Sequence, residues 1–192
     1  MMEWKELLET VACDLQVREG AQAYDSQAPL KEQKQYLQKE VRKMFANKGE
    51  KLFRLTLWMR LREYYPKNSL MWLFATLMYK KEYRRSHVQI NCPVGKGFHV
   101  VHESYSYLNA ESIGDYFTVY QGVTLGVDGQ ERKPVIGNHV TVYTNAVISG
   151  GIRIGDHCVI GANAFVNHDL PDHSVVIASS IIKQRHTSAE TD

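Results

Sequence analysis

The sequence lacks the devices that cross-link a chain or anchor it in a bilayer. It has only three cysteines, Cys13, Cys92 and Cys158, odd in number and far apart, which excludes a disulfide framework and any C-x-x-C metal motif. Long apolar runs are missing too. The longest, Leu70 to Tyr79, covers about half of what a bilayer span needs. No secretory leader is visible at the start, because Trp4, Glu6 and Glu9 interrupt any apolar core. The expected location is a reducing cytoplasm, with the inner face of the membrane as a variant of it. Net charge is also small, +2, but unevenly spread: residues 31–85 hold fifteen Lys/Arg against five Asp/Glu, a surplus of ten that leaves minus eight for the remainder. Such asymmetry reflects either an acidic partner (nucleic acid, a membrane surface or a phosphorylated substrate) or a set of solvated amphipathic helices. Of these partners we expect peripheral membrane contact through the basic helices, and no nucleic acid.

What the sequence does contain is a period. Ile136, Val142, Ile148, Ile154, Ile160 and Val166 recur every six residues without a slip. Strands alternate with a period of two and helices with 3.6, so neither gives a sustained six. A hexapeptide repeat is the mark of a parallel β-helix in which three hexapeptides make one coil. The aliphatic residue points into a narrow prism, and four places later comes a slimmer inward residue: Val140, Ala146, Ile152, Cys158 or Ala164. Between them stand Gly, Asn, Asp or His, which tolerate φ > 0 in turns. Burying each aliphatic contributes roughly 1.5–3 kcal/mol, so Ile154→Asp is expected to unfold the rod.

The same step links Ile113, Val119 and Leu125, and before them Val88, Val94 and Val100. Two breaks interrupt it. One residue too many separates Val100 from Ile113, and five too many separate Leu125 from Ile136, in the polar run Asp128 to Lys133. A coil cannot absorb five residues, so a loop should leave the prism there, and loops on a rigid scaffold tend to carry function.

Ahead of the repeat the spacing predicts helices. Trp4, Leu7, Leu8, Val11 and Leu15 mark one from residue 2 to about 24. Others follow over Lys31–Lys48, Leu52–Tyr65 and Leu70–Arg85, punctuated by Gly49 and by Pro66-Lys67-Asn68-Ser69. The expected fold is thus α+β: an α-helical N-terminal region over residues 1–86, a parallel β-helix of about five coils over 87–183, and a disordered tail over 184–192.

Residues one coil apart stack on one face. Corrected for the two breaks, the third position of one face carries His102, Gln121, Thr144 and Ala162, a small polar column above a single imidazole. A histidine of near-neutral pKa can act as general base toward a hydroxyl. His139 and His157 stack elsewhere, at turn positions, and read as corner ladders. Three convergent zinc ligands are not given on any one face.

These segments resemble the serine acetyltransferase family of left-handed parallel β-helix acyltransferases. The resemblance rests on Val94-Gly95-Lys96-Gly97 with His102 shortly after, Gln121-Gly122-Val123-Thr124-Leu125-Gly126, Arg132-Lys133-Pro134-Val135-Ile136-Gly137 and Ile160-Gly161-Ala162-Asn163-Ala164. It implies the left hand of the coil, against the usual crossover rule. It also implies homotrimers, or a dimer of such trimers, with active sites between neighbouring prisms, and acetyl-CoA as donor with no metal. Carried over residue by residue, it implies His102 as the catalytic base, Gly126, Thr144 and Ala162 as CoA contacts, and Asp14 and Arg132 as acceptor contacts; Gln121 of the column and Lys133 of the loop are expected on the acceptor side with them.

The departures from the family bear on the acceptor. Val101 replaces an Asp before the catalytic His, His87 replaces a second Asp that orients the imidazole, and Lys133 replaces a His. Ala178-Ser179-Ser180-Ile181 stands where Gly-x-Pro-Ala is usual. We therefore expect an acetyl-CoA-dependent O-acetyltransferase acting on a saccharide hydroxyl in capsule, exopolysaccharide or lipopolysaccharide assembly. Serine O-acetylation for cysteine biosynthesis is the alternative. A carbonic anhydrase-like metal protein and an inactive scaffold are the further ones.

Overall fold

The computed structural model describes residues 3–17, 24–46, 51–102 and 105–178. Among these residues four helices come first: α1 (Trp4–Gln16), α2 (Leu30–Ala46), α3 (Lys51–Tyr64) and α4 (Leu70–Ser86). Thirteen short strands follow, and every pairing between them is parallel. α1 stops at Gln16, earlier than its apolar spacing suggested; residues 18–23 lie outside those described, and Tyr24 is no longer helical. The expected tail over 184–192 also lies outside the described residues.

The strands wind into a left-handed prism of three faces. The first face stacks β1 (Val88–Ile90), β3 (Ser106–Leu108), β6 (Thr124–Gly126), β9 (Val147–Ser149) and β12 (Phe165–Val166). The second stacks β4 (Ser112–Ile113), β7 (Val135–Ile136) and β10 (Arg153–Ile154), extended by bridges from Val94 to Ile113 and from Ile154 to Leu170. The third stacks β2 (His99–Val100), β5 (Thr118–Val119), β8 (Thr141–Val142), β11 (Val159–Ile160) and β13 (Val175–Val176). The hexapeptide aliphatics fill the axis: Val119, Leu125, Val142, Ile148, Ile154, Ile160 and Val166 are all fully buried. The second inward position holds Val140, Ala146, Cys158 and Ala164 in the lower coils, and Phe98 stacked on Phe117 at 6.2 Å near the top.

The register resolves the first break. Val100 pairs with Val119 and Leu108 with Leu125, so Val100 to Leu108 is two residues longer than a repeat and Leu108 to Ile113 one shorter. A net excess of one therefore conceals a two-residue insertion directly after His102. A third irregularity lies below: Leu170 bridges Ile154 only four residues after Val166, so the segment Asp169–Asp172 shortens the repeat instead of ending it.

The corner between the second and third faces is pinned by side chains that imitate strand bonds. Asp115 accepts from the Lys96 N–H at 3.0 Å, Asn138 from Asp115 at 2.9 Å, Asp156 from Asn138 at 2.8 Å and Asp172 from Asp156 at 2.8 Å. Each of these side chains lies under the residue that precedes the amide it serves. A Cβ on Gly137 would sit 2.4 Å from the Asp156 carboxylate, so that place must be glycine. The next residue in each turn is left-handed, with φ of 56° at Tyr116, 54° at His139, 57° at His157 and 63° at His173.

Helices close the upper end. Leu7, Leu8, Val11, Ala12 and Leu15 of α1 pack with Leu37, Phe53 and Leu57, while Leu52, Leu55, Met59 and Tyr79 join the prism's own core. Arg60, only 1% exposed, ties the two parts together. Its guanidinium meets Asp14 at 2.9 Å and donates to the Val94 and Gly95 carbonyls.

Candidate active site

The predicted column is real. The pairings Val100 with Val119, Val119 with Val142 and Val142 with Ile160 set His102, Gln121, Thr144 and Ala162 one above another, each two residues past its strand partner. They line the corner where the third face turns into the first. His102 is exposed, its ring edge-on to Tyr120 at 5.9 Å, and Tyr120 stacks on Tyr143 at 4.7 Å. Directly beneath, the side-chain oxygen of Gln121 is buried with no hydrogen-bond partner among the described residues. A buried acceptor left open costs free energy, and here it lies one rung from the imidazole. Thr144 is half-buried and Ala162 exposed, so the column narrows to small groups going down.

Gly126 stands apart from this column, at the far end of the first face, where it pairs with Ser149. A Cβ placed there would meet only Thr124 Cγ2, at 3.7 Å, so the backbone is open to a ligand. The loop of residues 127–134 leaves from the same end. Asp128 organises it, accepting from the Gln130 and Arg132 N–H groups at 2.9 and 3.0 Å and from Arg132 Nε at 2.8 Å. The Arg132 guanidinium beside it lowers the Asp128 carboxyl to about 2. Gly150, at φ 103°, and Gly151, whose added Cβ would meet Arg132 Cβ at 2.7 Å, let the loop lie against the next coil. Arg132 is thus exposed but ion-paired, and Lys133 is half-buried. Within one chain, Arg132 and Lys133 occupy a different corner of the prism from His102.

Asp14 does not join them either. It is 1% exposed, and its two oxygens engage Arg60 and the Phe98 N–H at 2.8 Å. Burial and these partners make it a group that docks α1 on the first coil, not an open acceptor contact in the single chain.

Two features were not foreseen. His87 and Tyr105 stack at 5.1 Å with planes 12° apart, both in left-handed backbone at φ 55° and 48°. Lower rungs of that corner place Gly122, Asn145 and Asn163 in the same conformation. Tyr105 lies over Gly122 just as His102 lies over the adjacent Gln121, so the insertion leaves ring and imidazole on neighbouring columns. His173 also extends the corner ladder, with rings at 4.8 Å for Tyr116–His139, 4.7 Å for His139–His157 and 4.9 Å for His157–His173. The shortened repeat hid it from an eighteen-residue count. Face-to-face imidazoles do not converge on a point as metal ligands must.

Fold and column together define a hexapeptide-repeat protein. Residues 133–168 match the family described as bacterial transferase hexapeptide (six repeats). The chain is 47% identical over 70 residues to a serine acetyltransferase of Helicobacter pylori (strain ATCC 700392 / 26695), covering 35% of this chain and 41% of that protein. It is 42% identical over 78 residues to a serine acetyltransferase of Staphylococcus aureus (strain Mu50 / ATCC 700699), covering 38% and 37%. It spans about two fifths of the length of these relatives. The crystal structure of Neisseria gonorrhoeae serine acetyltransferase superposes with a TM-score of 0.60 at 25% identity, over 90% of this chain and 62% of that one. The resemblance to the serine acetyltransferase family thus holds in both sequence and fold.

Proposed function

We propose that the chain is an acetyl-CoA-dependent O-acetyltransferase of the serine acetyltransferase type, with His102 as general base. The observation that carries this is the column itself, an exposed imidazole above two small residues and a buried amide oxygen that has no partner among the described residues. The local identity to serine acetyltransferases supports it. Acetyl-CoA supplies an activated acetyl group; Thr144 and Ala162 leave room for its arm along the column, and the bare backbone at Gly126, at the loop corner, would offer a further contact from a neighbouring copy. His102 takes the proton of the acceptor hydroxyl as that oxygen attacks the thioester carbonyl; the C–S bond breaks, and His102 returns the proton to the departing CoA thiolate. Gln121, one rung below, would accept a hydrogen bond from the acceptor once its side chain turns to meet it. Because Arg132 and Lys133 stand at another corner, a neighbouring copy is what would bring them to His102, and we propose a homotrimer.

The names of the relatives favour L-serine as acceptor. A saccharide hydroxyl is the second reading, and the His87–Tyr105 stack favours it. Tyr105 is 76% exposed and Tyr107 stands near it on the first face, an aromatic ledge suited to the C–H side of a sugar ring. Following thiol release from acetyl-CoA with L-serine, nucleotide sugars and oligosaccharides separates the two readings. Turnover with serine alone would remove the second. No turnover with any hydroxyl acceptor, or a His102→Ala variant as active as the parent, would overturn the first.

A further inference from the structure

We infer that the exposed face of α4 is a docking surface for an anionic bilayer. α4 buries Ala75, Tyr79, Glu82 and Ser86, spaced at helical intervals, against the rest of the molecule. The opposite side is apolar near the α3–α4 turn, with Leu70 84%, Leu73 49%, Phe74 49% and Leu77 56% exposed. Further along the same side this gives way to Lys80, Lys81 and Arg84, all exposed, and Lys67 is exposed at the turn itself. Scattered exposed leucines are ordinary, but a contiguous apolar patch on one helix face marks a contact surface.

Charge decides between the occupants. The single acid of α4, Glu82, is 2% exposed and lies within 3.6 Å of both Arg54 and Arg85. The exposed side of α4 therefore carries aliphatic, aromatic and cationic groups and no anion. Pairing it with the same face of a second copy would leave both cationic rows with no acid from either helix. A negatively charged headgroup layer meets both halves: Leu70, Leu73, Phe74 and Leu77 enter the acyl boundary while the lysines and arginine face phosphate. Among the described residues no helix is long and apolar enough to cross a membrane, so the contact is peripheral. It places nothing at His102 and does not depend on the chemistry proposed there.

The test is co-sedimentation of the full chain with phosphatidylcholine vesicles with and without phosphatidylglycerol. Binding is expected only with the anionic lipid, and it should weaken as salt rises. Lys80→Glu/Arg84→Glu should lower partitioning by about thirtyfold or more, from about 1 kcal/mol per basic residue at such a surface. Leu73→Gln/Leu77→Gln, at positions already solvated, should abolish it with melting temperature unchanged. Equal binding to both vesicle types, or no binding to either, overturns the proposal. So does loss of self-association in the Leu73→Gln/Leu77→Gln variant without vesicle binding by the parent, which would assign the face to a second copy.

Discussion

Two corners of one prism carry histidines, and they differ in whether the rings have company. At the second–third corner His139 and His157 are sandwiched between other rings at 4.7–4.9 Å, and Asp156 and Asn138 beside them are spent on backbone amides. At the third–first corner His102 meets one tyrosine edge, and the amide oxygen below it has no partner among the described residues. A histidine in a repeat protein is therefore not a site by virtue of its residue type. An unfilled hydrogen-bonding capacity beside it is the better guide, because a structural ladder satisfies its polar groups internally and a binding site leaves some for the ligand.

The sharpest way to break this comparison is a pair of substitutions. His102→Ala should lower kcat/KM for acetyl transfer by about 10²–10⁴-fold, the span of a lost general base, with little change in melting temperature. His157→Asn, which suits the left-handed backbone there, should leave kcat/KM within about twofold, since surface changes away from a site are small. Equal losses in both would erase the distinction. Next in size, Asp14→Ala strands a buried Arg60 and should cost about 3–5 kcal/mol in denaturant unfolding. If it instead left stability intact and raised KM for the acceptor, Asp14 would return to the site.

Gln121→Leu should reduce kcat/KM by about tenfold, roughly one hydrogen bond of about 1.4 kcal/mol, with stability unchanged or increased because the open acceptor is gone. The smallest effect concerns acid. Asp156 is held below its ordinary value, chiefly by the Asn138 N–H, and Asp128 lies at about 2 beside Arg132. Both carboxylates favour the folded form above the unfolded value of 3.8, and that favour is lost as pH falls through the folded values. Thermal melting should therefore decline between about pH 4 and pH 2, and Asp156→Asn should flatten part of that decline.

Much of the rod was legible because Ile136 to Val166 keep strict register, and a buried axial position tolerates only aliphatics. The column through His102 followed from counting alone. Three things resisted. The insertion after Val100 was masked by a deletion before Ile113, and only their difference shows in a count. Asp14 matched a family position, yet its partner Arg60 lies 46 residues away, a pairing that no local spacing announces. The His87–Tyr105 stack joins the end of α4 to the start of β3, and tyrosine is an unlikely residue for φ > 0. Only the folded chain brings the two rings together.

The buried arginine has one more consequence. In the lower coils the Ile113, Ile136 and Ile154 carbonyls each accept from a glycine amide in the coil above. In the first coil no such amide is found among the described residues, and the Val94 carbonyl takes an Arg60 N–H in its place. A bare parallel edge would invite the foot of another rod and end-to-end fibre growth. The guanidinium fills that acceptor, so the helical cap leaves the first coil one open carbonyl fewer for a second rod to pair with.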